Sequence, residues 1–200
     1  MRIGIELNGV LRDTLKKIQQ EYEKWYVENP FKEDDSEDKF EYEVMSDLTT
    51  LDITSHLKFR DENDLYDFLY KEHTMEIFGH AGSVEVSGMM DLNDFYLDTR
   101  DNHDTIIVSD EIGKSKPASL FFISKFGCLV ESVKFYSEST IKSLWDSVDV
   151  LLTANPKLLL DYPKDKTIIK YETTYNKDIE IEHFITTFKD LNNKITELYD

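Results

Sequence analysis

Hydrophobic and polar positions alternate from the first residues. Ile3, Ile5 and Leu7 fall on one side of residues 2–7, and Gly4 and Glu6 on the other, which predicts a strand. The polar pair Asn8-Gly9 breaks the run. A helical period follows over residues 13–27, where Leu15, Ile18, Tyr22, Trp25 and Tyr26 recur at spacings of three and four, with Asp13 or Thr14 placed to cap its start. Asn29-Pro30 is a stop signal for that helix. The acidic run KEDDSEDKFEYE over 32–43 has no apolar period and reads as a solvated loop. It lacks the ligand spacing and central glycine of a calcium loop. Residues 47–80 read as short helices with aromatic faces, one of them introduced by Asp61-Glu62-Asn63 and carrying Leu65, Phe68 and Leu69. The stretch FGHAGS over 78–83 reads as a connection or hinge, and Met89, Met90, Leu92 and Phe95 as one further helix.

A different rhythm begins at residue 104. Apolar strands are predicted at 104–109, 132–137, 148–153 and 166–171, and helices at 116–126, 139–145, 156–160 and 179–198. Strands that are apolar almost throughout, alternating with helices, predict an α/β fold of the Rossmann-like kind, a parallel sheet with helices on both faces. Roughly ninety residues separate the first strand from the second, too many for a simple crossover. The expected organisation is a core made of 1–14 and 104–200, with 15–103 inserted as a helical cap subdomain.

Composition narrows the class. Of 200 residues, 12 are Phe, 11 Tyr and 2 Trp, too aromatic for a disordered chain. Forty-one acidic against 23 basic residues leave a net charge of −18, which repels nucleic-acid backbones and anionic bilayers, so neither is an expected partner. A basic partner remains compatible with such a surface. Cys128 is alone and sits in apolar FGCLV, so it is read as packing and no intrachain disulfide is possible. The five histidines show no metal-ligand spacing. No apolar run approaches a membrane span, and the N-terminus enters a strand at once, so a soluble, cytoplasmic protein is expected.

The opening IELNGVL resembles the first signature of the haloacid-dehalogenase (HAD) superfamily, in particular its 5′-nucleotidase-like branch, whose pattern is Asp-Leu-Asp-Gly-Val-Leu. Glu6 stands at the position of the nucleophilic aspartate and Asn8 at that of the acid/base aspartate. Ser109, closing TIIVS, matches the second signature, and Lys142 in TIKSLWDSVDVLL the third. The fourth, an apolar strand followed by Asp-Asp, Asn-Pro and a helix, survives here as LLTANPKLL, with Thr153 and Ala154 at the acidic positions. IIKYETTYNK is similar to a later stretch of the same branch.

The resemblance implies a HAD-like core with a cap after the first strand, and it also implies what has been lost. The family chemistry uses a carboxylate to attack phosphorus and a second carboxyl to move the proton. Mg²⁺ is held there by the nucleophile, a backbone carbonyl and the fourth-signature acids. Glu6 adds a methylene, a shift of about 1–1.5 Å that costs on the order of 10²-fold in rate. Asn8 cannot transfer the proton, a further loss of about 10²–10⁴-fold. Thr153 and Ala154 remove the acidic metal ligands, so no metal or other cofactor is expected, with Mg²⁺ required only if the protein is an enzyme. Ser109, Lys142 and the backbone around Gly9 are left as an anion-recognising remnant. Alternatively, Ser109 and Lys142 satisfy each other, or Lys142 is a surface lysine.

Three functions follow as expectations. The first is a catalytically inactive HAD-like protein acting as a scaffold with a protein partner, in a bacterial cytoplasm or as a phage component, since the branch occurs in bacteria and tailed phages. The second is a divergent Mg²⁺-dependent phosphatase acting on nucleotide monophosphates, and the third a phosphate or nucleotide sensor without hydrolysis.

Overall fold

The computed structural model describes residues 1–28 and 40–199, so most of the acidic run 32–43 and the Asn29-Pro30 stop lie outside the described residues. Among the described residues, β1 (Arg2–Glu6), β2 (Asp104–Asp110), β3 (Ser132–Tyr136), β4 (Val150–Thr153), β5 (Thr167–Tyr171) and β6 (Phe184–Ile185) form one sheet. Its order is β3-β2-β1-β4-β5-β6, and every neighbouring pair is parallel. The helices are α1 (Thr14–Tyr22), α2 (Glu62–Asp67), α3 (Gly88–Thr99), α4 (Ser115–Lys125), α5 (Ile141–Trp145), α6 (Pro156–Leu160) and α7 (Leu191–Tyr199). The chain is therefore α/β, with a Rossmann-like parallel sheet flanked by helices, as the strand–helix rhythm predicts.

Period-two alternation divides the strands between two hydrophobic layers. Ile3, Ile5, Ile107, Leu152 and Ile169 face one layer, which α3, α4 and α7 close with Leu92, Phe122 and Leu191 among others. Val108, Leu151 and Ile168 face the other, closed by Leu144 and Trp145 of α5 and by Leu158 and Leu159 of α6. Gly4 and Glu6 share the parity of this second face. They are buried against it rather than turned to solvent.

A third cluster lies apart from both. Ile18, Tyr22, Leu57, Phe68, Ile77 and Phe78 pack together with Ala118 of α4. Tyr22 stacks on Tyr26 at 5.3 Å and meets Phe68 edge-on at 5.9 Å. Most of the aromatic residues of the inserted stretch are thus its own core, while α3, also part of that stretch, packs on the sheet. The connection at 78–83 is stapled to the first loop, because Asp13 N donates to Gly82 O (2.9 Å) and Val84 N to Leu11 O (3.0 Å).

One element differs from expectation. Residues 179–198 do not form a single helix: Phe184–Ile185 is a sixth strand, and α7 starts only at Leu191. The outer edge of β5 supplies the reason. Its backbone needs partners, and Lys170 N donates to His183 O (2.9 Å) and Glu172 N to Ile185 O (2.9 Å). Ile179 and Ile181 pack under the second layer instead of lining a helix face.

Gly4 is required by the close approach of that layer. A Cβ there would lie 2.7 Å from Val148 Cγ1 and 3.1 Å from Leu151 Cδ1. Val148 is wholly buried and β-branched, so it cannot swing aside. Gly4→Ala is expected to lower stability by about 1–3 kcal/mol, read as a lower urea midpoint with an unchanged slope.

Candidate functional site

A parallel sheet whose strand order reverses at β1 opens a crevice beyond the C-terminal ends of its central strands. Glu6, Asp110 and Thr153 end three adjacent strands there. A cavity of about 530 Å³ occupies the crevice, walled on one side by the strand ends and their loops and on the other by residues such as Ile18, Ile53 and Leu69 from the inserted stretch.

Glu6 lines this cavity although it is only 1% exposed. Both of its oxygens are engaged. Tyr136 Oη donates to Oε1 (2.7 Å), and Thr153 Oγ1 donates to Oε2 while accepting from Asn155 N (2.9 Å). Burial pushes the Glu6 carboxyl up to about 7; the two hydroxyls oppose that rise and the charge of Asp110 adds to it.

Asn8 is equally committed. Its Oδ1 accepts from Arg12 Nη2 (2.6 Å) and Thr14 Oγ1 (2.6 Å), and its Nδ2 donates to Ser109 Oγ (3.3 Å). Ser109 donates onward to Glu111 Oε1 (3.0 Å). The centre of this network is Arg12, which is wholly buried. Besides Asn8, its guanidinium donates to Glu111, Thr14 Oγ1 (3.1 Å), Phe78 O (2.8 Å) and Ser119 Oγ (2.6 Å). The Phe78 and Phe122 rings lie 5.2 and 5.6 Å from its Cζ. Burial lowers the Arg12 pKa, and the Glu111 carboxylate opposes that fall.

Gly9 adopts φ +77°, which favours glycine, and a Cβ there would stand 2.1 Å from Tyr175 Oη and 3.2 Å from Ala154 Cβ. Tyr175 is held over the loop by Asn176, whose Nδ2 donates to Ala154 O and Tyr171 O (2.9 Å each) and whose Oδ1 accepts from Thr173 N (2.8 Å). Burial raises the Tyr175 phenol, with the charges of Glu6 and Asp13 adding to the rise.

The expected site residues are therefore only partly gathered. Glu6, Asn8 and Gly9 line the cavity, and Thr153 and Ala154 lie directly behind it against Glu6 and Gly9. Ser109 is fully buried in the Arg12 network, and Lys142 is exposed on α5; neither lines the cavity. The three expected anion-binding groups are not brought to one point. Asp149 stands before β4 and pairs with Arg2 (2.6 Å), which holds its carboxyl down at about 2. The residues present do not suit Mg²⁺. Thr153 offers a hydroxyl already given to Glu6, Ala154 offers no donor, and among the described residues no group of three or more His, Cys, Asp or Glu is placed to hold a metal ion.

The pattern did not reveal Arg12, Glu111, Tyr136 or Tyr175. Arg12 immediately precedes the predicted helix, and nothing in the spacing singles it out. Tyr136 lies inside a predicted strand, and Tyr175 belongs to the IIKYETTYNK stretch, whose resemblance attaches no role to it. Asp110-Glu111, two acids ending an apolar strand beside Ser109, is the one signal that could have pointed here. No family model matches the chain, and no curated protein matches it.

Two outcomes follow. Arg12→Met leaves the Glu111 carboxylate buried without its partner and is expected to cost about 3–5 kcal/mol; adding Glu111→Gln recovers part of that loss in denaturant unfolding. For Glu6, the folded pKa lies above the ordinary 4.5, so the native state binds the proton more tightly. Its contribution is fully present below about pH 4.5 and is lost as pH rises through about 7. Glu6→Gln removes that loss, so the variant should gain on the order of 2–3 kcal/mol relative to wild type between pH 4.5 and 8, measured as the pH dependence of the stability difference.

Proposed function

We propose that the chain is a catalytically silent protein of HAD-like design, a pseudophosphatase whose crevice binds rather than reacts. The observation that carries this reading is the lock on Glu6. An attacking carboxylate must be ionised and present a free oxygen, whereas Glu6 is held by Tyr136 and Thr153 and titrates near neutrality. The partner group needed for proton transfer is equally absent, since Asn8 is an amide fixed among Arg12, Thr14 and Ser109. The inserted stretch, with its own hydrophobic cluster, supports the reading of a cap above the crevice. On this reading the protein acts through what it holds, including a protein partner, and belongs to a bacterial cytoplasm or a phage particle. No described helix is long and apolar enough to cross a membrane.

The sensor for phosphate or nucleotides has less support. Among the described residues lining the cavity there is no lysine or arginine, so an anion would enter against five carboxylates.

A screen of nucleotide monophosphates and p-nitrophenyl phosphate with Mg²⁺ tests the proposal. Phosphate release is expected to stay at the buffer rate. Turnover that disappears in Glu6→Gln would overturn it.

A further inference from the structure

The two walls of the cavity differ in chemistry. The sheet side carries Glu6, Asp13, Glu85, Asp110 and Glu172, and among the described lining residues no lysine, arginine or histidine opposes them. Of these acids only Glu172 makes an ion pair among the described residues, with Lys170 at 2.9 Å. Arg12 lies close by, but its charge is taken up by Glu111 behind the wall.

The remaining charges act on one another across the space. Asp110 bears on Glu6, Glu6 and Asp13 bear on Tyr175, and Glu111 and Asp110 bear on Tyr70. Four of the five lining acids, Glu6, Asp13, Glu85 and Asp110, have no ion-pair partner among the described residues, and Lys157, which acts on Asp110, is not among the lining residues, so the wall suits a positive charge.

The opposite wall states what must accompany that charge. Leu15, Ile18, Leu51, Ile53, Leu69 and Phe78 supply an apolar face, and the phenols of Tyr70, Tyr171 and Tyr175 border it. Bare metal ions gain nothing from such a wall. An ammonium carried on a hydrophobic body suits both sides, because the carboxylates and aromatic faces attract the cation and the aliphatic wall covers the body.

We propose that the cavity is a binding site for a small organic cation, a primary ammonium joined to an apolar or aromatic body. The proposal rests on the non-hydrolytic reading above and names its ligand class. Asp110 faces the ammonium from the end of β2, with the buried Glu6 behind it, and the inserted stretch covers the body.

Three probes that share an indole body separate charge from shape: tryptamine, the neutral alcohol tryptophol, and anionic indole-3-acetate. Each is titrated into the full chain by calorimetry and by chemical-shift perturbation. Tryptamine is expected to bind about tenfold or more tighter than tryptophol, a margin one moderately screened charge supplies, and indole-3-acetate should not saturate. Asp110→Asn, an exposed position at the end of β2, should narrow the tryptamine preference several-fold without moving the unfolding midpoint by more than a few tenths of a kcal/mol. Equal binding of the three probes, preference for the anion, or no binding of tryptamine at millimolar concentration overturns the ammonium site. Phosphate release in the enzymatic screen overturns the silent reading whatever the order of the indoles, so the two failures are distinguishable.

Discussion

The arrangement of the crevice depends on one buried charge. Arg12 places its guanidinium at zero exposure, where an unpaired cation is prohibitively costly, and the fold answers with five hydrogen-bond acceptors. Those acceptors come from separate parts of the chain: Asn8 and Thr14 from the first loop and helix, Phe78 from the inserted stretch, Glu111 from the end of β2, and Ser119 from α4. No one of them can move without stranding the charge. The insertion is thereby tied to the sheet at the point where the strand order reverses, and Asn8 and Ser109 are drawn into structure.

That commitment explains the character of the cavity beside it. Arg12 lies close to the strand ends, and its charge is spent on Glu111. Glu6, Asp13 and Asp110 are left without ion pairs among the described residues, and burial, with the Asp110 charge adding to it, raises the Glu6 carboxyl to about 7. Tyr136 and Thr153 make the burial of Glu6 tolerable by giving each oxygen a donor. A carboxylate stabilised in this way is well suited to stay where it is and poorly suited to attack. The same residues that secure the fold at this end of the sheet make the crevice acidic.

Local patterning carried much of the architecture. Apolar alternation marked β1, near-continuous apolar runs marked β2 to β5, and Asn155-Pro156 began α6 where an N-cap and a first-turn proline belong, with Asn155 Oδ1 accepting from Lys157 N at 3.0 Å. These features depend on neighbours within a few residues, so they can be read without the fold. The last twenty residues show where that reading ends. The stretch 179–198 reads as one helix, but the open edge of β5 required a partner, and edge pairing outweighed a weak local preference.

The sequence by itself determined the strand–helix rhythm, the large insertion after β1, the acidic balance and the absence of carboxylates at positions 8, 153 and 154. Only the tertiary structure decided which polar residues meet. Ser109 looked like a ligand-facing hydroxyl and is buried against Glu111; Lys142, at a family position or a surface lysine by its sequence, stands exposed on α5; Arg12, which no spacing singled out, is wholly buried. Spacing along a chain reports which face of its own element a residue occupies. Whether that face meets solvent, a cavity or an opposite charge is set by elements a hundred residues away.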